Sequence, residues 1–102
     1  MLELRPNCEM CDRDLPPEAM EARICTYECT FCADCVDNVL ENVCPNCAGG
    51  FVPRPIRPAK DRRPGVSRLH QLPGTKRRQV KYDLEDIKAL VTKTKSIPPQ
   101  DR

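Results

Sequence analysis

Eight cysteines stand in the first 47 residues as Cys8-x2-Cys11, Cys25-x3-Cys29-x2-Cys32-x2-Cys35 and Cys44-x2-Cys47, and none follows. This is the number and spacing that closes two tetrahedral all-cysteine zinc sites, because each Cys-x2-Cys turn aims two thiolates at one point. Any fold this segment adopts has to be built around those sulfurs.

Disulfides and redox chemistry are the competing uses of such cysteines. Small disulfide frameworks belong to secreted chains, and the start Met1-Leu2-Glu3-Leu4-Arg5-Pro6-Asn7 has neither a basic opening before an apolar run nor a small-residue cleavage site. The expected compartment is therefore the reducing cytoplasm. A redox Cys-x-x-Cys normally opens a helix in a larger strand-and-helix domain, which four overlapping Cys-x2-Cys spacings do not resemble. Energetics agree with zinc. A segment of roughly 55 residues buries too little apolar surface to offset its chain entropy, whereas a structural zinc contributes about 10–16 kcal/mol of apparent binding energy coupled to folding.

Cys32 lies two residues from both Cys29 and Cys35, so pairing has two solutions. In the interleaved one, Cys8, Cys11, Cys32 and Cys35 hold one zinc and Cys25, Cys29, Cys44 and Cys47 the other. A sequential arrangement takes Cys8, Cys11, Cys25 and Cys29 first. Interleaving is favoured because it locks the two ends of the segment together, while the sequential form leaves two weakly joined lobes.

Val36, Val39, Leu40 and Val43 recur at helical spacing, predicting a short helix from about Ala33 to Asn42 with one apolar face. Ala22 to Phe31 reads as a short strand or hairpin. A knuckle, a hairpin and a helix carrying the second ligand pair make the unit often called a treble clef. The fold class expected is thus a small zinc-bound α+β domain.

The intervals from Cys8 to Cys47 resemble those of RING-type zinc domains, as do Phe31-Cys32-Ala33-Asp34-Cys35 and the closing Cys44-Pro45-Asn46-Cys47. Cys29 stands where most such domains have histidine. The first 58 or so residues also resemble a bacterial family of small cysteine-rich proteins of unknown function. The RING resemblance implies a cross-brace of two zincs per chain, and in ligases a groove for a ubiquitin-conjugating enzyme. Met10, Leu40 and Pro45 occupy the matching positions. No tryptophan occurs, and Ala48 follows the last ligand where ligases often place a cation.

Direct catalysis by the head is not expected. Residues 1–66 contain neither serine nor histidine, so no nucleophile with its base can be assembled there. Closed four-sulfur sites also lack the open position that water activation needs. Glu9, Asp12, Asp14, Glu18, Glu21 and Glu28 are expected to form a solvated surface.

Charge divides the chain. Residues 1–59 hold five arginines and ten acids, a balance of −5, and residues 60–102 hold twelve lysines and arginines and five acids, a balance of +7. Two filled four-thiolate sites bring the head to about −9. The expected organisation is a two-zinc domain over 1–52, a Pro-rich and basic disordered linker over 53–82, an amphipathic helix over 83–97 and a disordered tail over 98–102. Lys60, Arg62, Arg63, Arg68, Lys76, Arg77, Arg78 and Lys81 suit phosphate backbones or acidic protein surfaces. Asp83 is the expected N-cap of a helix from about Leu84 to Lys95, with Leu84, Ile87, Leu90 and Val91 on its apolar face. His70 is expected to be a plain surface residue. The function expected is a non-catalytic, zinc-binding protein-interaction module. A ligase-like adaptor contacting a conjugating enzyme, and a nucleic-acid regulator acting through residues 60–82, are the alternatives.

Overall fold

The hairpin forms because β-branched and aromatic residues flank a turn that two cysteines close. In the computed structural model, which describes residues 1–102, β1 (Ala22–Ile24) pairs antiparallel with β2 (Thr30–Cys32), and β3 (Val52–Pro53) adds on the other side of β1. The register sets Ala22 opposite Cys32, Arg23 opposite Phe31 and Ile24 opposite Thr30. Pro53 is tolerated because β3 is an edge strand. Phe31 is fully buried and packs edge-on against Phe51, ring centroids 5.3 Å apart.

The helix α1 (Ala33–Cys35) leaves β2 directly and runs on as a π-helical turn over Val36–Leu40. Two left-handed residues, Glu41 and Asn42, end it. The expected apolar stripe is met at Val36, Leu40 and Val43, all buried, but Val39 is 37 % exposed. Bonding five residues apart widens the turn, so the spacing read from the sequence no longer brings Val39 to the core face.

A second helix, α2 (Leu84–Thr94), is capped by Asp83, whose side chain accepts from Asp86 N–H at 2.8 Å. It packs on the Val36–Leu40 turn. Ile87 and Val91 join the same buried cluster as Leu40 and Val43, and Lys95 pairs with Glu41 at 3.4 Å. Leu84 lies outside this contact, 48 % exposed, and Thr94 is buried in its place. A short 3-10 turn, Pro99–Asp101, follows, and Arg102 donates to Asn42 O at 2.7 Å.

Residues 53–82 differ most from expectation: in place of a free linker, they run along the head. Arg54 is 4 % exposed and donates to the carbonyls of Arg5 (2.8 Å), Leu15 (3.2 Å) and Pro16 (2.9 Å). Arg57 reaches Leu2 O and Gln71 O. Gly74 N–H donates to Leu4 O at 2.9 Å, an approach so close that a Cβ there would stand 3.0 Å from that oxygen. Arg77 pairs with Asp12 and Asp14. Arginine-to-carbonyl bonds and charge hold this segment, and hydropathy patterns register neither.

Asn7 secures the far end of that strap. It is fully buried, accepts from Arg78 N–H at 3.1 Å and donates to Arg78 O at 2.8 Å and Asp12 Oδ1 at 2.9 Å. Replacing Asn7→Ala removes all of these and leaves buried main-chain groups unpaired, about 2–3 kcal/mol of local stability. Hydrogen exchange is the measurement: amides of residues 74–80 should exchange at least tenfold faster, and unchanged rates would show that Asn7 does not pin the strap.

Candidate metal centre

Three cysteine-bearing turns are shaped by the backbone to present sulfur. In the first, Cys8 N–H donates to Arg13 O (2.8 Å), Asp12 N–H donates to Cys8 O (2.9 Å), and Asp12 is left-handed at φ 65°. The third repeats this: Cys44 N–H donates to Gly49 O (2.8 Å), Ala48 N–H donates to Cys44 O (2.7 Å), and Ala48 has φ 65°. The middle turn joins β1 to β2, with Cys25 N–H donating to Cys29 O at 3.2 Å. Backbone N–H groups also face the sulfurs. Cys11 N–H points at Cys8 Sγ (3.5 Å), Tyr27 N–H at Cys25 Sγ (3.3 Å) and Gly49 N–H at Cys47 Sγ (3.4 Å). Such donors favour thiolate over thiol.

Tertiary packing brings the sulfurs of Cys8, Cys11, Cys32 and Cys35 within 4.8 Å of one another, and those of Cys25, Cys44 and Cys47 likewise. Cys29 completes neither set at that distance, but it closes the same turn as Cys25, whose N–H donates to Cys29 O. The first and third cysteine pairs thus meet, and so do members of the second and fourth. All eight thiols are free of disulfides. Cys11 Sγ and Cys32 Sγ are 3.7 Å apart. A tetrahedron with metal–sulfur bonds of about 2.3 Å has edges of about 3.8 Å, so this separation fits a shared ion.

The electrostatics are compatible with a cation as well. Burial pushes the Cys8 thiol up, and burial together with the neighbouring Cys32 thiol pushes Cys35 up. Burial also opposes ionisation of Cys11, but the Arg13 N–H and the thiols of Cys8, Cys32 and Cys35 outweigh it and bring Cys11 down. In the second group the Cys29 and Cys44 thiols bring Cys25 down to about 3, while Cys25 and Cys29 drive Cys44 far up. One sulfur in each group ionises at its neighbours' expense. Four thiolates become compatible only when a positive ion sits among them. These two groups, of four and of three cysteines, could therefore hold metal ions, with Cys29 beside the second.

The positions matched to a partner groove are placed otherwise than expected. Leu40 is fully buried and Pro45 is buried, while Met10 is half-buried and packs against the core. Leu40 belongs to no open surface, because α2 packs over its turn, whereas Pro45 lines a concavity beside α2. Glu9 is a second correction. Expected in solvent, it is 4 % exposed, accepting from Thr30 N–H (2.6 Å) and Arg5 (3.0 Å) and lying 3.5 Å from the Asn46 amide. Glu9 lies inside the first Cys-x2-Cys turn and Asn46 inside the last, so this carboxylate ties the two turns together. Asn7, Glu9 and Arg54 carried no sequence signal, since a buried polar residue is recognisable only once its partners are placed. His70 lies at the surface, its Nε2 2.8 Å from Asp61. No helix is long and apolar enough to cross a membrane.

Residues 1–57 match the family described as Protein of unknown function (DUF1272). The chain is also 64 % identical over 59 residues to an uncharacterized protein, R02474, of Rhizobium meliloti (strain 1021), a match covering 58 % of this chain and 70 % of the relative. No solved structure matches it. The matched span contains every cysteine and stops before most of the basic strap and all of α2. By its cysteine-built head the chain belongs to the bacterial DUF1272 family.

Proposed function

We propose that this protein is a non-catalytic module that uses two zinc ions, held in a RING-like cross-brace, to present a rigid surface to a protein partner in the cytoplasm. Cys8, Cys11, Cys32 and Cys35 hold the first ion, and Cys25, Cys29, Cys44 and Cys47 the second. The observation that carries the reading is the meeting of sulfurs from the first and third cysteine pairs, with one sulfur–sulfur distance at the edge length of a zinc–sulfur tetrahedron. Four sulfur donors in tetrahedral array suit zinc, which structural sites of this kind hold. With four sulfurs on each ion no coordination position is left for substrate, which supports a scaffold over an enzyme.

A ligase-like adaptor has no support from the packing, since it requires Leu40 at an open surface and that side chain is fully buried. A phosphate-backbone partner along residues 60–82 is weakened by the pairing of Arg68 and Arg77 with Glu18, Asp12 and Asp14.

Elemental analysis with native mass spectrometry of protein purified without added metal tests the proposal. The expected result is two zinc ions per chain, falling to one or none in Cys32→Ser. A chain isolated without metal, or with thiols joined in disulfides, would end it.

A further inference from the structure

Two concavities lie side by side where the strap meets α2, and they differ sharply in chemistry. One, of about 370 Å³, is mainly apolar, lined by Pro45, Ala48, Ile87, Ala89 and Leu90 with Asp86 and Lys93 at its rim. The other, of about 440 Å³, is cationic, with Arg5, Lys76, Arg77, Arg78 and Lys81 around it. Asn46 and Tyr82 line both, so the two halves are continuous across these residues. Both volumes fall in the range of ligand-binding clefts.

We infer that this two-part groove is a docking site for an extended peptide segment of a partner protein, with carboxylates in the basic half and an adjacent apolar side chain between Pro45 and Leu90. The inference rests on the reading of the chain as a zinc-built interaction module and names the partner chemistry for it.

Charge accounting inside the cationic half favours an anion. Glu9 is already neutralised by Arg5, and Arg77 is held by Asp12 and Asp14. Lys76 and Lys81 make no ion pair. Arg78 is only loosely held: its Nη2 lies 3.5 Å from Glu3, and its Nε–H is buried without a partner. An incoming carboxylate thus meets two unpaired ammonium groups and the loosely paired outer nitrogens of the Arg78 guanidinium.

The apolar half decides between a peptide and a nucleic acid. Asp83, Glu85 and Asp86 crowd the first turn of α2 beside Tyr82. A phosphate backbone continuing out of the basic half would run against Asp86, which lines the apolar half, in the acidic first turn of α2. A peptide whose acids end where its apolar residue begins avoids it. Tyr82 is also the sole aromatic lining the groove, too little for the successive base stacking that single strands use.

The test uses the full zinc-loaded chain and fluorescein-labelled peptides joining a run of glutamates to a Leu-Phe pair, in both orders. Saturable binding is expected for at least one order, weakening at least tenfold from about 50 to about 300 mM salt. Replacing Leu-Phe by Ser-Ser in the peptide should cost at least tenfold, as should Ala89→Trp, which fills the apolar half. Lys76→Glu with Lys81→Glu should cost at least tenfold, whereas the equal charge change Lys60→Glu with Arg62→Glu, outside the groove, should cost less than twofold. Absence of saturable binding, equal loss in both charge pairs, or tighter binding of a single-stranded oligonucleotide would overturn the inference. Zinc counted in the same sample separates the two levels: two ions without peptide binding removes the groove alone, and a metal-free chain removes the scaffold beneath it.

Discussion

Stripping the proposed zinc ions from the full chain with excess chelator is expected to abolish the fold of residues 1–52, with loss of both hairpin and helical circular dichroism. The composition of the core gives the reason. Six of its seventeen buried apolar residues are cysteines, at positions 8, 25, 29, 32, 35 and 44. Without an ion these sulfurs are small, poorly packing groups that repel one another as soon as more than one ionises. Each closed site is expected to contribute about 10–16 kcal/mol of apparent binding energy, more than a domain of this size retains as net stability. Because Ile87 and Val91 belong to the same buried cluster, α2 should be released along with the head. Circular dichroism followed through chelation and zinc re-addition measures this. A head that keeps its spectrum after complete removal of metal would show that packing alone sustains it.

The second large effect is expected at Arg54. Replacing Arg54→Ala in the zinc-loaded protein should lower stability by about 3–5 kcal/mol, since three main-chain carbonyls lose a charged donor in a buried site. Burial depresses this guanidinium's pKa, with only the charge of Glu21 opposing, so it is held by carbonyl dipoles and not by a direct carboxylate partner. Arg54→Lys should recover little, because one ammonium cannot span the carbonyls of Arg5, Leu15 and Pro16. Urea unfolding at saturating zinc reads the change. A loss under about 1 kcal/mol would mean that water replaces the guanidinium without cost.

Both predictions concern parts of the molecule that were unequally legible in the sequence. The hairpin, the helix after Cys32, and α2 with Asp83 as its cap follow from local patterns, because strand pairing across a tight turn and helix capping involve residues close in the chain. The strap over residues 53–82 looks like a disordered linker in the sequence for an equally physical reason. Its hold on the head comes from Asn7, Arg54, Arg57 and Gly74 reaching main-chain groups tens of residues away. Propensity and hydropathy carry no information about such bonds.

The cysteine spacing by itself determined that the N-terminal half must be organised around sulfur, because a chain this short and this poor in apolar residues has no other source of cohesion. Only the tertiary structure decided that Leu40 lies beneath α2, that Glu9 joins the first and last cysteine turns, and that the basic segment packs on an acidic head. Those outcomes depend on which distant surfaces meet, and burial and charge pairing between remote residues arise only when the whole chain has closed.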